Sequence, residues 1–201
     1  MKKLKSLLLI FIPLVFISSC TVLSFYPLYT EKELVRDDRI IGDWQSLAGS
    51  NDDAGDTIYW RIEFKQNDKK TNKYTYTLSL HYNDMMEDGA VFQLHIVKLD
   101  GKTYLDFYPE EGRIENEFFM QHLMPVHTFA KLEIGEELNI VWFDSDWLEN
   151  LFGEDKIRIR HEEDEDRILL TAKPEELQKF IIKYANDEKV FSKHMRYILS
   201  K

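Results

Sequence analysis

Two stretches of strict alternation constrain the fold of this 201-residue chain more than any other feature. In "TIYWRIEF" Ile58, Trp60, Ile62 and Phe64 alternate with Tyr59, Arg61 and Glu63. In "NKYTYTLSLHY" Tyr74, Tyr76, Leu78, Leu80 and Tyr82 alternate with Thr75, Thr77, Ser79 and His81. Period two puts the apolar set on one face of an extended strand and the polar set on the other, so each segment reads as half-buried sheet. "AVFQLHIVKL" repeats the pattern with Phe92, Leu94 and Ile96 on one side, and Asp100-Gly101 then turns the chain into "KTYLDFY" as a hairpin. Further strands are expected at Gly42 to Leu47, Thr128 to Ile134, Leu138 to Phe143, Lys156 to Arg160 and Arg167 to Thr171. That makes about nine, at the spacing of an all-β sandwich or barrel.

Helical patterns are fewer. "DWLENLF", near 145–152, carries Ser145 as its candidate cap and Gly153 as its stop. Over 174–185, Pro174 sits in the first turn and Glu175 and Glu176 lie at the positive end of the dipole. Leu177, Phe180, Ile181 and Tyr184 then form an apolar stripe that predicts docking on the sheet. Val190, Phe191, Met195 and Ile198 predict a weaker terminal helix.

The single cysteine, Cys20, follows Lys2, Lys3, Lys5 and an eleven-residue apolar run from Leu7 to Ile17. Such a run is a signal-peptide core and falls short of the ~20 apolar residues that cross a bilayer. Ile17-Ser18-Ser19-Cys20 resembles the bacterial lipoprotein box. The resemblance implies a diacylglycerol on the Cys20 thiol, cleavage after Ser19 and acylation of the new amine, so that the partner is a membrane held through acyl chains. Thr21 stands where, in enteric-type lipoproteins, an Asp would mean retention in the inner membrane. The implied location is therefore the outer membrane, at its periplasmic face. The expected organisation is a cleaved signal peptide at 1–19, a lipidated tether at 20–39 and one domain at 40–201. Removing residues 1–19, with their three lysines, changes the formal charge from −10 to −13. That acidity argues against nucleic acid and against electrostatic binding to anionic lipid.

"IIGDW", followed by meandering strands and an amphipathic helix, resembles a lipocalin-type (calycin) barrel. The resemblance implies that Gly42 and Trp44 of Gly42-Asp43-Trp44 close the barrel floor, with an arginine across the indole; Arg158, Arg160 and Arg167 are the candidates. The second lipocalin motif is not evident, and the connection from Pro109 to Met120 is long. "YPLYTEKELVRDDRIIGDW" and "LLTAKPEELQKFIIKYANDEKVF" are similar to a group of uncharacterised bacterial lipoproteins, which implies no chemistry. The fold class expected is thus mainly β: one antiparallel, lipocalin-like barrel of eight to nine strands with the two helices.

No residue is assigned to catalysis, a metal or a cofactor. The chain has no Gly-x-Ser-x-Gly elbow, and Cys20 is committed to lipid. His122 and His127 flank Met124-Pro125 without the spacing of a zinc site, and His81 and His95 are expected to face water. The acidic runs "NDDAGD" and "HEEDED" lack EF-hand positions and read as solvated turns. Trp60, Tyr74, Tyr76, Phe92, Phe107 and Phe143 are expected to point into the barrel. There they either fill it, leaving a structural or protein-interaction role in the envelope, or line a site for one small hydrophobic ligand.

Overall fold

The computed structural model describes residues 21–46, 57–65, 74–82, 89–110, 118, 122–153, 158–164 and 167–201. Two short strands come first, β1 (Leu23–Ser24) and β2 (Leu34–Val35). Then follow β3 (Gly42–Ser46), β4 (Ile58–Phe64), β5 (Thr75–Tyr82), β6 (Ala90–Leu99), β7 (Lys102–Pro109), β8 (His127–Ile134) and β9 (Leu138–Phe143). After helix α1 (Ser145–Gly153) come β10 (His161–Asp164), β11 (Arg167–Leu170), helix α2 (Pro174–Tyr184) and β12 (Phe191–Ser200).

Strands β3 to β9 pair antiparallel in sequence order, and β12 inserts between β9 and β3, closing an eight-stranded antiparallel barrel. Closure leaves none of these eight strands with a free edge, so the ladder satisfies its own backbone groups. The Asp100-Gly101 hairpin forms as its chemistry requires, with φ of 47° and 76° at the two turn residues. Gly42, this hairpin and the turn at Gly135 mark the lower end of the barrel. The upper end is where β3 and β9 finish and β8 begins.

Of the segment expected as a terminal helix, Val190 ends a short 3-10 turn (Glu188–Val190), and Phe191, Met195 and Ile198 belong instead to the closing strand β12. Met195, Tyr197 and Leu199 alternate into the interior, and a register shift between Phe191 and Arg196 interrupts that alternation. The open edges of β3 and β9 decide the matter, because pairing across them outweighs a weak local helical pattern. Of the strand expected at Lys156 to Arg160, Lys156 and Ile157 lie outside the described residues, and residues 158–160 lead into β10, which begins at His161. Helix α1 is capped by Asp144, whose Oδ1 accepts from Trp147 N at 2.9 Å, not by Ser145.

Inward-facing residues of the eight strands form one core. A second core lies outside the wall, where Val97 of β6, Tyr104 of β7 and Phe129 of β8 meet Leu177 and Ile181 of α2 and Leu148 of α1. The N-terminal segment belongs to this second core. Val22, Leu28 and Leu34 are buried in it, β1 pairs with β8 and β11, and β2 pairs with β6. The stretch expected as a tether over 20–39 is therefore folded onto the barrel from Thr21 onward. The outer face of β6 to β8 is apolar at alternate positions, and this segment covers it. Signal peptide 1–19, Cys20 with its Ile17-Ser18-Ser19 box and the "NDDAGD" run lie outside the described residues.

Candidate functional site

At the lower end, the Trp44 indole is 3% exposed and its Nε1 donates to the Ile40 carbonyl at 2.8 Å. The cation over the ring is Lys201, with Nζ 4.8 Å from the centroid. The arginines implied by the lipocalin resemblance stand elsewhere: Arg158 and Arg167 are exposed, and Arg160 pairs with Glu176 of α2. Gly42 has φ of 137°, and a Cβ there would come to 3.4 Å from Lys201 Cε. The Gly-x-Trp spacing thus places a residue free to adopt that backbone beside a buried indole.

The upper half of the interior is aromatic. Phe107 stacks on Trp142 at 5.1 Å between ring centroids, and Trp60 lies 6.2 Å from both and 5.8 Å from Tyr197. Phe92 meets Phe107 edge-on at 6.5 Å. Within this cluster Trp60 Nε1 is buried and has no hydrogen-bond partner among the described residues. Trp60, Tyr76, Phe92 and Phe107 share the interior as expected from their parity; the Tyr76 hydroxyl accepts from Asp37 N at 2.9 Å. Phe143 and Tyr74 do not join them. Leu138, Ile140 and Trp142 take the inward positions of β9, which turns Phe143 out onto Tyr104, and Tyr74 packs against the same outer core. Trp142 and Tyr197 were absent from the expected set. Their alternation with Leu138 and Ile140, and with Met195 and Leu199, is the signal that places them.

Beneath the N-terminal segment runs a line of buried polar groups on the outer faces of β5 to β8. Asp106 is fully buried. Its Oδ2 accepts from Leu28 N at 2.8 Å, and its Oδ1 lies 2.7 Å from His127 Nδ1. His95 is 2% exposed, contrary to the expectation that it faces water. Its Nε2 lies 3.1 Å from Thr75 Oγ1 and 3.4 Å from the Tyr29 hydroxyl, and its Nδ1 is enclosed with no partner among the described residues. His81 also has its Nδ1 enclosed. Polar-looking strand faces predict water only until another segment covers them, and here residues 21–35 cover β6 and β7.

Burial raises the Asp106 carboxyl above the ordinary range, opposed by the His127 contact. Burial, then the His127 charge, lowers His95 to about 4, and burial followed by Asp106 raises Tyr29. The arrangement has the Asp–His half of a nucleophilic triad, with the His127 ring 4.6 Å from that of Tyr108, but among the described residues no Ser or Thr hydroxyl hydrogen-bonds to His127. What the groups do is fasten the N-terminal segment: Leu28 N to Asp106, Tyr29 to His95, and the Leu28 carbonyl to Gln178 Nε2 at 3.1 Å. His122 is separate and exposed, donating from Nδ1 to the Phe118 carbonyl at 2.7 Å. Among the described residues no group of three or more His, Cys, Asp or Glu side chains could hold a metal ion, and no helix is long and apolar enough to cross a membrane.

No family model, no curated protein and no solved structure matches this chain.

Proposed function

We propose that this protein is a lipid-anchored envelope lipoprotein with a non-catalytic, structural or protein-interaction role. It sits at the periplasmic face of the outer membrane and holds the bilayer through acyl chains on Cys20. The observation that carries the reading is the fastening of the N-terminal segment: the residues that would follow the acylated cysteine are clamped onto the barrel by Asp106, His95 and Gln178. A chain that folds its own anchor segment into its core transmits the position of the lipid to the whole domain. The test is the mature N-terminus. Mass spectrometry of the expressed chain should find Cys20 first and acylated, and Cys20→Ser should lose labelled fatty acid and leave the membrane fraction. Label retained by the Ser variant would end the reading.

One observation favours a second reading, carriage of a small hydrophobic ligand. Trp60 Nε1 has no acceptor within the aromatic cluster, and an unpaired buried donor costs about 1–3 kcal/mol. An apolar molecule bearing one hydrogen-bond acceptor would pair that donor. Native mass spectrometry of the protein extracted from its host should then retain a bound small molecule, and Trp60→Phe should release it. A wild-type chain of bare mass would leave the structural role alone.

A further inference from the structure

The exposed apolar side chains are distributed unevenly over the barrel. Phe25 is 44% exposed, Leu123 45%, Met124 54% and Phe118 72%, and all four lie at the upper end. Register establishes this. Ser24 of β1 pairs with His127, the first residue of β8, so Phe25 leaves the sheet on the rim from which Leu123 and Met124 enter it. Phe118 belongs to the same connection, its ring 4.7 Å from that of His122. The exposed rings of Tyr59 and Tyr82 sit at this end too, at the start of β4 and the end of β5. Among the described residues, the lower end carries Asp37 with Arg39, Lys131 with Glu133, and Lys201, and the upper end carries Glu110, directly after β7.

The chain also arrives at the upper end. Thr21 pairs with Asp144, immediately beyond the last residue of β9, and Val22 is already buried. One residue spans at most about 3.6 Å, so a lipid on Cys20 has almost no slack before the chain is pinned to the barrel. A patch of exposed large apolar residues on a domain held this close to a bilayer has an obvious solvent. We propose that the upper rim bearing Phe25, Leu123 and Met124 is a membrane-contacting face, and that the barrel stands in one orientation on the bilayer that holds Cys20. The inference rests on the lipidation of Cys20.

The chemistry of the face selects the lipid. Residues 21–29 and 122–128 contain no acidic or basic side chain apart from His122 and His127, while Glu149 of α1 and Arg167 of β11 stand near Thr21. Contact through these residues is apolar and fits a zwitterionic surface; anionic lipid should weaken it through the net negative charge of the chain.

The test uses the full acylated chain in phosphatidylcholine vesicles, with a nitroxide on Met124→Cys or, at the opposite end, on Glu136→Cys. Acyl mass, co-flotation and a wild-type circular dichroism spectrum are checked first. The label at 124 should gain several-fold in oxygen over water-soluble nickel-chelate accessibility on reconstitution, with the label at 136 unchanged, and anionic lipid should reduce the gain. Co-flotation with both labels equally open to the chelate would overturn the orientation while leaving the lipid anchor standing. Shielding of the label at 124 only after solubilised envelope proteins are added would assign the face to a protein partner, overturning the bilayer. Absence of acyl mass would remove the anchor and the face together.

Discussion

Lys201, the last residue of the chain, holds its ammonium 4.8 Å from the ring centroid of Trp44 at the lower end of the barrel. The contact joins the terminus to the first barrel strand, next to the ladder in which Leu199 and Ser200 of β12 pair with Ser46 and Gln45 of β3. A cation over an indole contributes about 0.5–2 kcal/mol beyond burial. Lys201→Ala should lower stability by about that much and make the Trp44 environment more accessible to acrylamide. The exposed Lys173→Ala should do neither, and indistinguishable urea midpoints for the two variants would mean that the contact is idle.

Gly42 makes room for this pair. Its φ of 137° is strained for any residue with a Cβ, and that Cβ would lie in contact with Lys201 Cε at 3.4 Å. Gly42→Ala should cost at least about 1–3 kcal/mol. A thermal melt at the wild-type temperature would show that the strand start relaxes freely.

Helix α2 docks through Leu177 and Ile181, which are fully buried, while Phe180 is half-buried against Trp147 at 6.0 Å. Ile181→Ala should therefore cost about 2–5 kcal/mol, more than Phe180→Ala, and the exposed Lys179→Ala should be near neutral. Denaturant midpoints of the three variants give the order directly, and Phe180→Ala as the most damaging of them would contradict the packing.

Asp106 holds Leu28 N and His127 from a fully buried position. Asp106→Ala leaves both without their partner and should cost about 3–5 kcal/mol, with residues 21–35 losing amide-exchange protection before the barrel does. Asp106→Asn, which keeps an acceptor for Leu28, should be milder. Uniform loss of protection across the barrel would show that the segment is not a separable clamp.

His95 stays neutral in the fold down to about pH 4, while an unfolded histidine takes its proton near 6.5. Between these values the unfolded state binds more protons, so the contribution of His95 is complete above about pH 6.5. It is lost progressively toward pH 4, by about 3 kcal/mol in all. The raised Asp106 has the opposite sign, keeping its proton in the fold at pH values where the unfolded carboxyl has lost it, and so favouring the fold as pH falls. Urea titrations at pH 7.5, 5.5 and 4.5 should show a shallower loss for His95→Gln than for wild type, and parallel losses would assign the acid sensitivity elsewhere.

Alternation in the sequence determined most of the strands, because a residue on a pleated strand needs only its own parity to know its side. Trp60, Tyr76, Phe92 and Phe107 were legible on that ground, as were the Asp100-Gly101 turn and the amphipathic stripe of α2. Parity could not say which side of the sheet would be the inside of a barrel and which the floor of a second core. Phe143, adjacent to Trp142, fell on the outer side because Trp142 took the inner one. His95 and Asp106 lie on the polar-looking outer faces of their strands, and they are buried only because residues 21–35 return across the wall from about 70 positions away in sequence. Likewise β12 is a strand only because β9 and β3, some 50 and 150 residues earlier, leave two edges unpaired. Local pattern reports how a segment divides its own surface, whereas burial and barrel closure depend on which distant segment arrives to cover that surface or pair with that edge.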